Sequence, residues 1–234
     1  MPLFLASLAL FIALHSIPAI SPIRSALIGA LGRGIYFGLY SAVSTLSLGL
    51  VFWSAFRLDY VPLWDPAPWQ ADVTLATAPV GLFLVIAGLL SRNPLSVTLR
   101  RGGEARDAIV SITRHPVLVG FLVWALGHLP PNGDLRSVIL FSTFSLFSLA
   151  GIALQERRTR RRLGPRGFAA LTAGTTIIPL LGVFHRGRRG EGAALIDAPL
   201  LAGLAIAVIS TFLLLAGGHE MAIGVDPLAL ANAG

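Results

Sequence analysis

The stretch APLLAGLAIAVISTFLLLAGG, residues 198–218, carries no charged side chain and decides the class of fold. It reaches the roughly 20 apolar residues that an α-helix needs to cross the hydrocarbon core of a bilayer. The whole 234-residue chain shares this character, since its mean hydropathy is +0.78 and only 12% of its residues are charged. A soluble domain usually carries about 25% charged residues. Lipid is therefore the solvent for much of this surface.

Six apolar segments of this kind follow one another along the chain. They predict an all-α fold, a polytopic integral membrane helical bundle of about six transmembrane helices that forms a single domain over residues 1–234. The segments are Pro2–Ile20, Ile35–Phe56, Asp72–Leu90, Pro116–Leu129, Arg136–Gln155 and Ala198–Gly218.

Two apolar stretches are harder to interpret. The segment Pro116–Leu129 is short and stops at a Pro-Pro-Asn-Gly turn, so it either begins earlier, near Ala108, or ends inside the bilayer. A seventh patch, Phe168–Phe184, is broken by Gly174 and Pro179 and is expected to be re-entrant or interfacial. A seventh span there would carry the arginines that follow it across the membrane.

The distribution of arginine predicts the topology. All 18 basic residues are arginine, and 16 of them fall in alternate loops. The positive-inside rule then places these loops in the cytoplasm and both termini outside, in a bacterial cytoplasmic (inner) membrane. We expect the runs Arg157–Arg162 and Arg186–Arg189 to act as an anchor against anionic lipid of the bilayer.

The same pattern excludes several classes of function. The net charge of +7 does not predict a nucleic-acid partner, because the arginines lie between apolar runs and not along one helical face. The absence of cysteine excludes disulfides, thiolate nucleophiles and covalent haem attachment. The N-terminus lacks the positive region of a secretory signal, so Pro2–Ile20 is expected to be a retained first helix.

Two histidines inside apolar segments are the strongest candidates for chemistry, because polar residues are costly within a membrane. His15 lies in the first segment and His128 in the fourth. A neutral imidazole offers one nitrogen lone pair, which suits haem iron. No cysteine or carboxylate in these helices completes a zinc site, so the pair favours bis-histidine haem. The alternative is that each ring hydrogen-bonds across helices, to Ser16 or to a hydroxyl such as Ser41 or Ser44.

Trp124 lies on the same helical face as His128. Gly120, Trp124 and His128 recur at every fourth position, which either borders a flat ligand or is ordinary helix packing around a glycine. At the start of this helix, Arg114-His115-Pro116 places proline at the first helical position and His115 at the inner interface. His115 is either part of a site or simply the residue that begins a helix.

These residues, together with Gly34–Ser41 and Tyr60–Asp65, resemble the NnrU family of membrane proteins over residues 8–185. The C-terminal helix 198–218 adds little to the resemblance. NnrU proteins are associated with denitrification and nitric oxide metabolism, and they are related to ζ-carotene isomerase, a membrane haem b protein. The resemblance implies that His15 and His128 are axial ligands of haem b, with Trp124 in the W-x-x-x-H segment and His115 assisting.

The resemblance leaves three function classes open. The first is a redox, haem-sensing or maturation factor for nitric oxide metabolism that acts with a redox partner. The second is a haem-dependent cis–trans isomerase acting on an apolar polyene, such as a carotenoid-like lipid. A fainter resemblance, carried by Arg114–Pro116 and Gln155-Glu156, is to isoprenylcysteine methyltransferases, which bind S-adenosylmethionine. The aromatic residue that usually follows Arg-His-Pro there is replaced by Val117-Leu118.

Overall fold

A computed structural model describes residues 1–16, 21–100, 103, 105–181 and 196–232. Regular structure within these residues is helical, and β pairing is limited there to isolated bridges between Pro62 and Asp134 and between Arg92 and Arg100. The helices are α1 (Pro2–Ser16), α2 (Ser21–Leu31), α3 (Arg33–Phe56), α4 (Pro68–Leu90), α5 (Ile109–Ile112), α6 (Pro116–His128), α7 (Leu135–Thr172), α8 (Ala198–Leu213), α9 (His219–Ile223) and α10 (Pro227–Ala231), with a π-helical turn over Leu214–Gly218.

Four helical runs are long and apolar enough to cross a membrane: α3, α4, α7 and Ala198–Ile223. This confirms the prediction of an all-helical membrane protein. The predicted spans at 2–20 and 116–129 correspond to the shorter apolar helices α1 and α6. The count of about six spans therefore stays a prediction.

Two helical segments differ from what the sequence predicts. Ser21–Leu31 was expected to be a loop but forms α2, with Pro22 in its first turn, where a missing N–H costs nothing. The helix expected to end at Gln155 continues as α7 to Thr172. It kinks at Gly164, whose φ of 69° lies in the left-handed region that only glycine adopts freely. Pro165, which follows, cannot supply the N–H of a continuous helix.

The chain divides into two compact units. The first comprises Met1–Leu63 and Asp134–Leu140, and in it α1 packs against α3. The buried hydroxyls of Ser7 and Ser54 lie 2.8 Å apart across this contact. In the same unit the Arg136 guanidinium donates to Leu58 O at 2.7 Å, which ties the start of α7 to the end of α3.

The second unit, Trp64–Gly133 and Phe141–Gly234, is organised around α4. Glycines allow α4 and α6 to approach backbone to backbone. A Cβ added to Gly120 would lie 2.6 Å from Gly81 O, and one added to Gly81 would lie 2.7 Å from Gly120 O. Thr74 Oγ1 donates to Gly127 O at 2.6 Å further along the same contact. Small residues and interhelical hydrogen bonds of this kind hold helices together where lipid removes the hydrophobic driving force.

Helices α4 and α8 also approach each other closely at a glycine. A Cβ on Gly203 would lie 2.6 Å from the Cβ of Ala87. Asp197 begins α8, because its Oδ1 accepts from Leu200 N–H at 2.9 Å. Its Oδ2 accepts from Ala108 N–H at 2.6 Å, which fixes the residue before α5 to the start of α8.

The segment after α7 is extended and turn-like up to Leu181, beyond which Gly182–Leu195 lie outside the described residues, as do Arg186–Arg189. It pairs with the connection between α5 and α6. Arg114 N–H donates to Thr176 O and Leu180 N–H to Ile112 O, both at 2.8 Å. In its described part, the seventh apolar patch therefore contains the end of α7 and then non-helical chain.

We predict that Gly120→Ala destabilises the protein by about 1–3 kcal/mol, because the methyl group meets the backbone of α4. The matched control is Gly49→Ala in α3, where an added Cβ meets nothing within 4 Å. Both changes gain the same helix propensity, so the difference in unfolding free energy between the variants, measured in mixed micelles, reports the clash alone. Equal stability of the two variants would contradict close α4–α6 packing.

Candidate functional site

His15 lies in the last turn of α1. Its Nδ1 is 2.8 Å from the carbonyl oxygen of Phe11, one turn earlier. A carbonyl oxygen only accepts hydrogen bonds, so Nδ1 carries the hydrogen and, in the neutral imidazole, Nε2 carries the lone pair. The ring lies 4.1 Å from that of Phe11 and 6.0 Å from that of Tyr40 on α3, measured between centroids.

Tyr40 belongs to a polar stripe along α3, which consists of Tyr36, Tyr40, Ser44 and Ser47. Tyr36 is buried and stacks on Tyr40 with ring centroids 6.2 Å apart and planes 13° apart. Ser47 is also buried, and its hydroxyl donates to Ser44 O at 2.9 Å. The first unit thus provides His15 with an aromatic and hydroxyl-bearing neighbourhood.

His128 is the last residue of α6. Its Nδ1 is 2.7 Å from the carbonyl oxygen of Trp124, so the same reasoning places the hydrogen on Nδ1 and the lone pair on Nε2. The imidazole stacks on Phe141 at 5.1 Å, with Trp124 at 4.5 Å. The carbonyl of His128 accepts from Asn132 Nδ2 at 2.7 Å, which caps the end of the helix.

The predicted residues are distributed over both units. His15 belongs to the first unit, and His128 and Trp124 belong to the second, where they lie together. Gly120, on the same face, packs against Gly81 of α4, which is the ordinary packing interpretation for that position. His115 immediately precedes α6, so the length of that helix, about 20 Å, separates it from His128.

His115 forms a second polar cluster. Its side chain is 1% exposed, and its Nε2 lies 2.8 Å from Oε1 of Glu156 on α7. Arg114 Nε lies 3.6 Å from the same oxygen. Burial lowers the pKa of His115 below its ordinary value, although the hydrogen bond and charge of Glu156 oppose the shift. The sequence named Glu156 only through the methyltransferase resemblance and gave no signal that it bonds to His115.

Backbone and side-chain hydrogen bonds hold this cluster in place. Asn93 Nδ2 donates to Arg114 O at 3.0 Å, and Thr113 Oγ1 donates to Ile177 O at 2.6 Å. The segment that contains Asn93 is held in turn by Asp107, whose carboxylate accepts from the guanidinium of Arg92 at 2.7 Å. Burial acts to raise the pKa of Asp107, but the hydrogen bonds and charge of Arg92 outweigh it and hold that pKa below its ordinary value.

No group of three or more histidine or acidic residues suited to a metal ion is present among the residues that the structure describes.

A model of the family described as NnrU protein matches residues 3–227. No curated protein and no solved structure matches the chain.

We predict that the stability of the protein falls as the pH drops below about 6.5, the ordinary pKa of histidine. Because the pKa of His115 is lowered in the folded protein, the unfolded chain binds the proton first, at a cost of up to about 1.4 kcal/mol per pH unit. In His115→Gln this contribution disappears. The measurement is the unfolding midpoint of both proteins in detergent between pH 8 and pH 5, and parallel pH profiles would contradict the assignment.

Proposed function

We propose that this chain, which belongs to the NnrU family, is a membrane protein that binds haem b with His15 and His128 as axial ligands. The proposal extends the family assignment, which covers residues 3–227, to a cofactor. The two proposed ligands are the histidines that lie inside apolar segments, and the same two residues match the ligand positions that the family resemblance implies.

The observation that carries the proposal is the shared hydrogen bonding of the two rings. Each Nδ1 donates to a carbonyl of its own helix, at 2.8 Å for His15 and 2.7 Å for His128. Histidines that bind metals almost always donate their second ring N–H in this way, which fixes the tautomer and makes the other nitrogen a better ligand. Both rings thus have Nε2 as the coordinating atom.

The surroundings of His128 fit a flat apolar group. Trp124, Phe141 and Phe144 form a set of aromatic rings, with Trp124 5.5 Å from Phe141 and 6.3 Å from Phe144 between centroids. Aromatic side chains favour offset and edge contacts with other flat π-systems. These rings would also exclude water from a haem held beside His128.

When bound, haem would supply a one-electron redox centre, and its iron would bind a diatomic molecule such as nitric oxide only after one of the two imidazoles dissociates. The chain's own residues hold it, orient it and keep its surroundings apolar. This chemistry agrees with the association of the NnrU family with denitrification and nitric oxide metabolism. We infer a redox, haem-sensing or maturation factor in that metabolism, without assigning it an enzymatic reaction.

A second candidate, isomerisation of a carotenoid-like polyene, is favoured by a groove of the second unit. This groove runs along α4 and α8 and has a volume of about 410 Å³. Its apolar walls suit a hydrocarbon chain. Adding the gene to cells that accumulate the cis polyene distinguishes this function by its product. The lining residues are Pro79, Val80, Phe83, Leu204, Ala207, Val208, Thr211, Phe212 and Leu215.

The methyltransferase candidate is favoured by one contact. Arg114 and His115 both lie near Oε1 of Glu156, at 3.6 and 2.8 Å, so the two motifs of that resemblance meet in space. Failure of the purified protein to bind S-adenosylmethionine would dismiss this candidate.

The haem proposal predicts a Soret band in protein purified in detergent after expression with haem supplied. His15→Ala and His128→Ala are expected to lose or shift this band, because each removes an axial nitrogen. A comparison variant is His219→Ala, which removes a partly exposed imidazole of the same unit as His128 and is expected to keep the band; its Nδ1 also bonds a carbonyl, Val225 O at 2.7 Å. Absence of the band, or spectra that are unchanged in both variants, would overturn the proposal.

The predicted topology has both termini outside a bacterial inner membrane, and it can be tested by cysteine labelling because the chain contains no cysteine. A membrane-impermeant maleimide is expected to modify Asp59→Cys in intact spheroplasts. It is expected to modify Arg161→Cys only after permeabilisation. Both positions are exposed, so accessibility within the protein does not distinguish them. The reverse pattern would show the opposite orientation.

A further inference from the structure

The part of α7 that precedes the kink at Gly164 is rich in arginine, and we call residues 157–163 the arginine helix. Every arginine in it is exposed, whereas Thr159 is buried. At about 100° per residue, these positive charges cover most of the circumference of the helix outside the side of Thr159. These arginines are Arg157, Arg158, Arg160, Arg161 and Arg162.

Among the described residues of this unit, no carboxylate forms an ion pair with these arginines. Within the described residues, Glu156 pairs with His115 and Arg114, and Asp107 pairs with Arg92. Asp197 accepts hydrogen bonds from backbone N–H groups. No ion pair to the arginine helix is found in the part of the chain that the structure describes.

Such a helix is unfavourable unless anions lie against it. Arg157 and Arg161 are four residues apart, as are Arg158 and Arg162, so their side chains are neighbours on the helix surface. Like charges at this spacing destabilise a helix by a few tenths of a kcal/mol per pair. A phosphate group that accepts hydrogen bonds from both guanidinium groups of a pair converts this repulsion into attraction.

The position of the helix points to lipid as the source of that phosphate. Leu154, 47% exposed, is the last apolar residue of the span, and Arg157 follows about 5 Å further along the axis. The headgroup layer is about 5–8 Å thick on each side of the hydrocarbon. Side chains in a helix lean toward its N-terminus, which here is the membrane side, so Arg161 and Arg162 reach back toward the same layer.

Apolar side chains protrude from the segment that follows α7 directly. Ile178 and Leu180 are 62% and 57% exposed. Leu180 also has a φ of 67°, a conformation unfavourable for leucine, and its N–H is held by Ile112 O at 2.8 Å. Exposed apolar residues that follow a cluster of arginines along the chain are typical of segments that lie in the membrane interface. A nucleic acid offers no apolar layer for them.

We propose that the arginine helix is a binding site for anionic phospholipid, in which Arg157 with Arg161 and Arg158 with Arg162 each bind a headgroup phosphate. This inference is independent of the haem proposal. It assigns specific residues and a ligand class to the predicted anchoring role of the arginine runs.

The first test uses the unaltered full chain. Purified protein in neutral detergent is mixed with equal amounts of phosphatidylglycerol and phosphatidylcholine, and the lipids that remain bound are counted by native mass spectrometry. We expect phosphatidylglycerol to be retained about tenfold or more over phosphatidylcholine, since each interfacial arginine contributes about fivefold. We expect this preference to fall when 0.5 M salt is present during lipid mixing, because salt screens exposed charges. Equal retention of the two lipids at low salt would overturn the proposal.

The second test compares two double variants that lose the same charge. Arg157→Gln/Arg161→Gln is expected to reduce the preference by about tenfold, whereas Arg24→Gln/Arg57→Gln, which changes exposed arginines elsewhere, is expected to keep it. Circular dichroism checks that both variants are folded. Equal loss in the two variants would show a general charge effect and overturn the assignment to the arginine helix. Displacement of the lipid by a short single-stranded oligonucleotide at equal phosphate concentration would overturn lipid as the ligand.

Discussion

The close approach of α4 and α6 is the constraint on which the second unit depends. In lipid, apolar surface gains nothing by leaving one hydrocarbon environment for another, so helices associate through contact and hydrogen bonding. Gly81 and Gly120 bring the two backbones together, and Thr74 adds a hydrogen bond to Gly127 O. Because α6 carries Trp124 and His128, the position of the aromatic set around that imidazole follows from this contact.

At the polar end of the second unit, the structure depends on hydrogen-bond partners for buried backbone groups. The connection from α5 to α6 is non-helical and buried, so its backbone groups need partners. The chain after α7 provides them for Ile112 O and for the N–H of Arg114, and its Ile177 O also accepts from the Thr113 hydroxyl. This docking also brings α7 alongside, and Glu156 on α7 then meets the buried ring of His115. A carboxylate partner is what allows a fully buried imidazole to satisfy one of its nitrogens.

Much of the fold could be predicted from the sequence, because membrane spans depend on composition over about 20 residues and not on distant contacts. The sequence did not predict that α7 continues beyond Gln155, because the apolar pattern stops there. The helix continues because arginine is a good helix former and no helix-breaking residue occurs before Gly164. The pairing of His115 with Glu156 joins residues 41 apart and leaves no local pattern. His15 and His128 could be identified from the sequence because polar residues are rare in apolar segments. The hydrogen bonds of their Nδ1 atoms depend on the three-dimensional structure and could not be predicted.

The shortness of α6 has a consequence for the surrounding lipid. Its 13 residues measure about 20 Å, roughly two thirds of the thickness of the hydrocarbon layer. Two hydrogen bonds hold the turn that follows. The Trp64 indole donates to Pro130 O at 2.8 Å, and Asn132 Nδ2 donates to His128 O. If α6 spans the membrane, as the sequence predicts, a helix this short beside longer neighbours creates hydrophobic mismatch, which the bilayer relieves by thinning locally. Membranes with shorter acyl chains should therefore suit this protein better than thick, sterol-rich ones.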